Sequence, residues 1–153
     1  MNDTPPAQTA GREVVVTRLL DAPRDLVFKA WIDPDQVAQW WGPGGFDIPR
    51  ERVEIDPRVG GRYHMVMVAP GGKEYPVRQE ILELDEPGLI VLRHEAMPEL
   101  GLPEPILTRI ELQDDGGKTR MTVSGGPYTE GMAPNAESGW DASFDSLAAL
   151  LAR

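Results

Sequence analysis

Two histidines, His64 and His94, and a scatter of carboxylates are the residues with which this 153-residue chain can do chemistry, because it has no cysteine. Without thiols there are no disulfides, thiolate nucleophiles or Cys-rich zinc sites, so any reactive group carries oxygen or nitrogen. Histidine titrates near neutral pH and ligates metals, but the stretch HEAMPEL (residues 94 to 100) lacks the second histidine of an HExxH pair, and His64 is equally isolated. The expectation is no metal centre and no cofactor. Glu80, Glu83 and Glu95 are the candidates for acid or base work, since a carboxyl in an apolar cavity has its pKa raised. Glu83, however, stands between Leu82 and Leu84 and projects to a solvent face if the segment is a strand. Ser124 in VSGG is not in a GxSxG elbow, and neither GPGG (42 to 45) nor VGG (59 to 61) leads into GK[ST], so they read as turns rather than phosphate loops. No catalytic residue is assigned on this basis.

The elements that must position these residues follow from period and punctuation. Residues 12 to 20, REVVVTRLL, are rich in β-branched side chains and stop at the breaker DAP, which suits a strand. Pro23 then fits a first helical turn, and Val27, Ala30 and Trp31 recur at helical spacing. Asp33 reads as the N-cap of a second short helix carrying Val37, Trp40 and Trp41. A strand near 46 to 55 follows. Five more strands are expected at 63 to 69, 75 to 84, 89 to 95, 106 to 113 and 119 to 124, joined by Gly-containing turns such as APGGK and DDGGK. From about Pro134 to Arg153, Trp140, Phe144, Leu147 and Leu151 lie on one helical stripe, with Asp141 and Asp145 off it. Such a helix is roughly 30 Å long, enough to cross several strands. The fold expected is α+β: a seven-stranded antiparallel meander, two short helices between strands 1 and 2, and a long C-terminal helix over one face. Residues 1 to 11 read as a flexible arm and 12 to 153 as a single domain.

Composition narrows the function classes. A formal net charge of -10, with no Lys/Arg-rich run, argues against nucleic-acid and anionic-membrane partners. Nothing approaches the roughly 20 consecutive apolar residues of a membrane span, and MNDTPPAQTAG lacks the basic start and apolar middle of a signal peptide. A cytoplasmic protein is expected.

Four segments in this order, LLDAPRDLVFKAWIDPDQVAQWWGPGGF, IDPRVGGRYHMVM, EYPVRQEILELDEPGLIVLRHE and SGWDASFDSLAALL, resemble the bacterial homologues of the activator of heat-shock-protein-90 ATPase. The resemblance spans residues 12 to 152 and implies the START-like (SRPBCC) helix-grip fold: a curved sheet wrapped around the C-terminal helix, with a cavity between them. It also implies a stress-response or co-chaperone setting, in which a chaperone would be the partner, and is compatible with a homodimer. The chain departs from the family pattern at Gln79, where glycine is usual, and at His94, where an aromatic or threonine is usual.

Strand alternation turns Tyr63, Met65, Met67, Leu92, Ile110 and Met121 inward, facing Trp140 and Phe144 of the helix. The same parity turns His94 inward and His64 outward, and Trp41, at the helix stop, falls toward the cavity mouth while Trp40 plugs the core. These ten residues, Trp41, Tyr63, Met65, Met67, Leu92, His94, Ile110, Met121, Trp140 and Phe144, form the candidate ligand-binding set, although the apolar ones describe a filled core equally well. A tyrosine hydroxyl, from Tyr63 or Tyr75, would orient the ligand. The leading reading is binding of a small hydrophobic or amphipathic molecule. Its rivals are a co-chaperone-like interaction module and a cyclase- or hydrolase-type enzyme using a cavity histidine or carboxylate.

Overall fold

The computed structural model describes residues 11–42 and 44–153. The expected N-terminal arm, except for Gly11, and Pro43 of GPGG lie outside the described residues. In chain order the elements are β1 (Arg12–Leu20), α1 (Arg24–Ile32), α2 (Pro34–Trp40), β2 (Glu54–Ile55), β3 (Arg62–Val68), β4 (Glu74–Asp85), β5 (Leu89–His94), β6 (Ile106–Asp115), β7 (Lys118–Tyr128) and α3 (Ala133–Leu151).

The strands form one antiparallel seven-stranded sheet in the order β1-β7-β6-β5-β4-β3-β2. Strands 2 to 7 are a meander, each paired to its sequence neighbour. β1 instead pairs with β7 at the far edge, so the segment carrying α1 and α2 must cross from one edge of the sheet to the other. A register shift between Ile81 and Glu83 lets β4 keep Val77, Gln79 and Ile81 inward while Glu83 stays exposed. The strand expected near 46 to 55 shrinks to Glu54–Ile55. Pro49 has no N–H to offer a ladder, and the chain makes a single bridge from Asp47 to Val68 and then a 3-10 turn at Arg50–Arg52.

The helical corner is built by its caps. Pro23 sits just outside α1 as its N-cap, one step earlier than the first turn expected from the sequence. Asp33 ends α1 and caps α2, its Oδ1 accepting from the Asp35 N–H at 3.0 Å, with Pro34 at the first helical position. Four buried residues of α1, Val27, Phe28, Ala30 and Trp31, and two of α2, Val37 and Trp40, enter one core, α1 packing on β6 and β7 and α2 on α1 and the C-terminal helix. Each such large side chain removed from water contributes about 1.5–3 kcal/mol. On α3, Phe144 and Leu147 anchor the helix in the same core, and on its outer side Arg18 of β1 donates to the Asp141 carbonyl and the Asp145 carboxylate. No helix among the described residues is long and apolar enough to cross a membrane.

Candidate functional site

Between the inner face of the sheet and α3 lies a cavity of about 380 Å³, within the range of small-molecule sites. β3 to β7 supply one wall with Met67, Val77, Gln79, His94, Ile106, Thr108 and Val123. The helical corner supplies Trp31, Trp40 and Trp41, and α3 supplies Asn135, Ala136, Gly139, Trp140, Ser143 and Phe144. Tyr128 at the end of β7, Met132 just before α3, and Gly42, Phe46 and Leu102 from loops complete it.

Space remains because α3 turns small residues toward the sheet. Ala136, Gly139 and Ser143 recur at helical spacing on its cavity side, flanked by the large Trp140 and Phe144. Trp140 is seated by a glycine opposite: a Cβ on Gly125 would lie 2.9 Å from the tip of its ring. Its ring also meets Tyr128 edge to face at 6.2 Å. All four tryptophans of the chain line the cavity. Trp31 and Trp40 meet edge to face with centroids 4.7 Å apart, and Trp41 stands 5.6 Å from Trp40 and 5.7 Å from Tyr63, distances at which aromatic pairs attract beyond their area burial. The Trp40 indole N–H donates to the Ala30 carbonyl at 2.9 Å, and the Trp31 N–H points at the Met121 sulfur at 3.4 Å. Both nitrogens are therefore satisfied within the scaffold.

The polar part of the wall is small and uncharged. Gln79 and His94 are directly paired across β4 and β5, and both are buried. Gln79 Nε2 is the one fully buried side-chain nitrogen or oxygen without a hydrogen-bond partner among the described residues. His94 Nδ1 contacts the backbone carbonyl of Glu95, which can only accept, so Nδ1 carries the proton and Nε2 is left as an acceptor. Burial pushes the His94 pKa below its ordinary value, outweighing the upward pull of the Glu95 carbonyl and carboxylate, so the ring is neutral at pH 7. Burial likewise pushes the Tyr128 hydroxyl up to about 12. No Lys, Arg, Asp or Glu lines the cavity among the described residues.

Of the ten residues expected from sequence to contact a ligand, the structure puts Trp41, Met67, His94, Trp140 and Phe144 on the cavity wall. Tyr63, Met65, Leu92, Ile110 and Met121 do not line it: all five are buried in the core cluster that also holds Phe28, and α1 packs against β6 and β7, the strands that carry Ile110 and Met121. The Tyr63 hydroxyl donates to the Trp31 carbonyl, and burial pushes its pKa well above the usual tyrosine range. That hydroxyl ties α1 to the sheet. Tyr75 packs on Phe46 at 6.2 Å and does not line the cavity. Sequence reasoning missed Trp31, Trp40, Gln79 and the small residues of α3. The spacing of Ala136, Gly139 and Ser143 was visible, but a stripe defined by large side chains passes over it.

Glu80, Glu83 and Glu95 are exposed and none lines the cavity. Among the described residues, no three His, Asp or Glu side chains converge to hold a metal ion.

A seven-stranded antiparallel sheet gripping a long C-terminal helix, with an apolar cavity between them, defines a START-like helix-grip domain. Within that class the chain belongs to the family described as activator of Hsp90 ATPase homolog 1-like protein, which it matches over residues 21–152. Solved structures with the same fold include protein CV1439 of Chromobacterium violaceum, at 29% identity and a TM-score of 0.82, covering 91% of this chain and 96% of that one. The AHSA1 protein of Silicibacter pomeroyi, at 22% identity and a TM-score of 0.77, covers 92% of this chain and 98% of that one. Comparison with curated proteins finds no match.

Proposed function

We propose that this protein binds a small hydrophobic or amphipathic molecule, in the cytoplasm, between the sheet and α3. The observation that carries the reading is the cavity of about 380 Å³, walled almost wholly by apolar side chains and all four tryptophans. An unfilled space of this size costs packing energy, which is tolerated where a ligand recovers it. Affinity would come chiefly from apolar area, at about 25 cal/mol per Å². The co-chaperone reading is supported by the family's description alone. For acid-base catalysis the described residues of the wall offer His94 and no carboxylate.

Native mass spectrometry against a panel of neutral, acidic and basic apolar compounds tests the proposal. One-to-one adducts are expected with the wild type and should disappear in Ala136→Phe, which fills the cavity from α3. A panel that yields no adduct, or adducts that survive the filled variant, would overturn it.

A further inference from the structure

If the cavity binds a ligand, as proposed above, the Gln79 and His94 pair in its wall determines which ligands it prefers. Both positions sit on the inner row that runs across the sheet from Tyr63 through Gln79 and His94 to Ile106. Their neighbours in that row are settled: the Tyr63 hydroxyl is spent on the Trp31 carbonyl, and Ile106 has no polar group. Gln79 is only 5% exposed, lines the cavity, and has an amide nitrogen with no partner among the described residues. A buried amide donor left unsatisfied costs as much as a lost hydrogen bond, so buried polar groups are nearly always paired. Here the unfilled space lies beside it. Next to it, His94 has its Nδ1 proton committed to the Glu95 carbonyl, which leaves Nε2 able to accept but not to donate.

We propose that the cavity selects neutral aromatic ligands bearing a carbonyl, amides above all, with the carbonyl oxygen accepting from Gln79 Nε2 and an amide N–H donating to His94. Charge decides against ionic ligands. An anion entering this space would meet no Lys or Arg and a cation no Asp or Glu among the described wall residues, so either would be desolvated without compensation. The flat faces of Trp31, Trp40, Trp41 and Trp140 favour an aromatic body over a flexible chain.

The test compares ligands built on one naphthalene body: 2-ethylnaphthalene, 2-naphthamide, the bulkier N,N-dimethyl-2-naphthamide and 2-naphthoate, titrated into the full chain and followed by tryptophan fluorescence. The amide should bind about tenfold or more tighter than the ethyl compound, as expected for satisfying a buried donor. The dimethylamide should fall between them, and naphthoate should bind weakest. In Gln79→Met the ratio of amide to ethyl affinity should fall toward one, with folding verified by a cooperative melt. The ratio in the wild type tests the idea even if that variant fails to fold. Equal binding of the ethyl compound and the amide, or tightest binding of the carboxylate, would overturn the selectivity while leaving the cavity reading intact. Failure of all four to bind, with adducts absent across the broader panel, would remove the cavity reading itself.

Discussion

At the scale of single residues, the adjacent pair Trp40 and Trp41 divides along the line that the helix geometry imposes. Trp40 is 2% exposed, its N–H satisfied by Ala30 and its ring locked edge to face on Trp31. Trp41 is the C-cap of α2, half-buried, with its ring against Tyr63 and the cavity. Removing Trp40 leaves a large void and an unpaired carbonyl at Ala30, for a cost of about 3–5 kcal/mol. Removing Trp41 widens a cavity that already exists, and should cost less than half as much. Urea denaturation of Trp40→Ala and Trp41→Ala measures the difference, and equal losses would contradict the division of labour.

At the scale of elements, α3 is where stability and function pull apart. Gly139 lies in the interior of a 19-residue helix, where glycine costs about 1 kcal/mol relative to alanine. It also faces the cavity, so its missing side chain is part of the space. Gly139→Ala should raise the midpoint of urea unfolding, by about 0.5–1 kcal/mol in stability, and weaken binding of any ligand that uses the full cavity. A variant that stabilises and binds equally well would show that the space beside Gly139 is unused. The helix itself is plain in the sequence, because Trp140, Phe144 and Leu147 mark its buried stripe, and so are the strand parity that turns His94 inward and the Asp33 cap. The cavity is less legible. Which inward residues touch open space depends on where α1 closes over the sheet, a tertiary fact that leaves Ile110 and Met121 in the core while Val77 and Thr108 reach the wall. Pro49 is visible, yet the strand expected around it is too long, since bridging Asp47 to Val68 needs only one residue pair.

At the scale of the whole molecule, the buried His94 couples the cavity to global stability through pH. Its folded pKa is lowered, chiefly by desolvation, while in the unfolded chain it titrates near the ordinary histidine value of 6.5. Between those two values the unfolded state binds more protons than the folded one, so stability rises with pH across that window. The contribution is complete above pH 6.5, is lost progressively as pH falls through 6.5 toward the folded pKa, and changes no further below it. Arg78, Glu95 and Glu99 line a small pocket on which His94 also borders. Thermal unfolding of the wild type should therefore show a midpoint that drops from about pH 7.5 to about pH 5, a range that brackets the histidine titration, more steeply than that of His94→Gln. That variant keeps His64, every carboxylate and the net charge at pH 7 of -10, so the difference between the two curves isolates one ring. Parallel curves across that range would mean that His94 takes up its proton as readily in the fold as out of it. A ligand that donates to His94 must then enhance the effect, because it binds the neutral ring and holds the folded pKa down further. Repeating the scan with 2-naphthamide should raise the wild-type midpoint more at the upper end of the range than at the lower, and raise that of His94→Gln by an amount that does not change with pH.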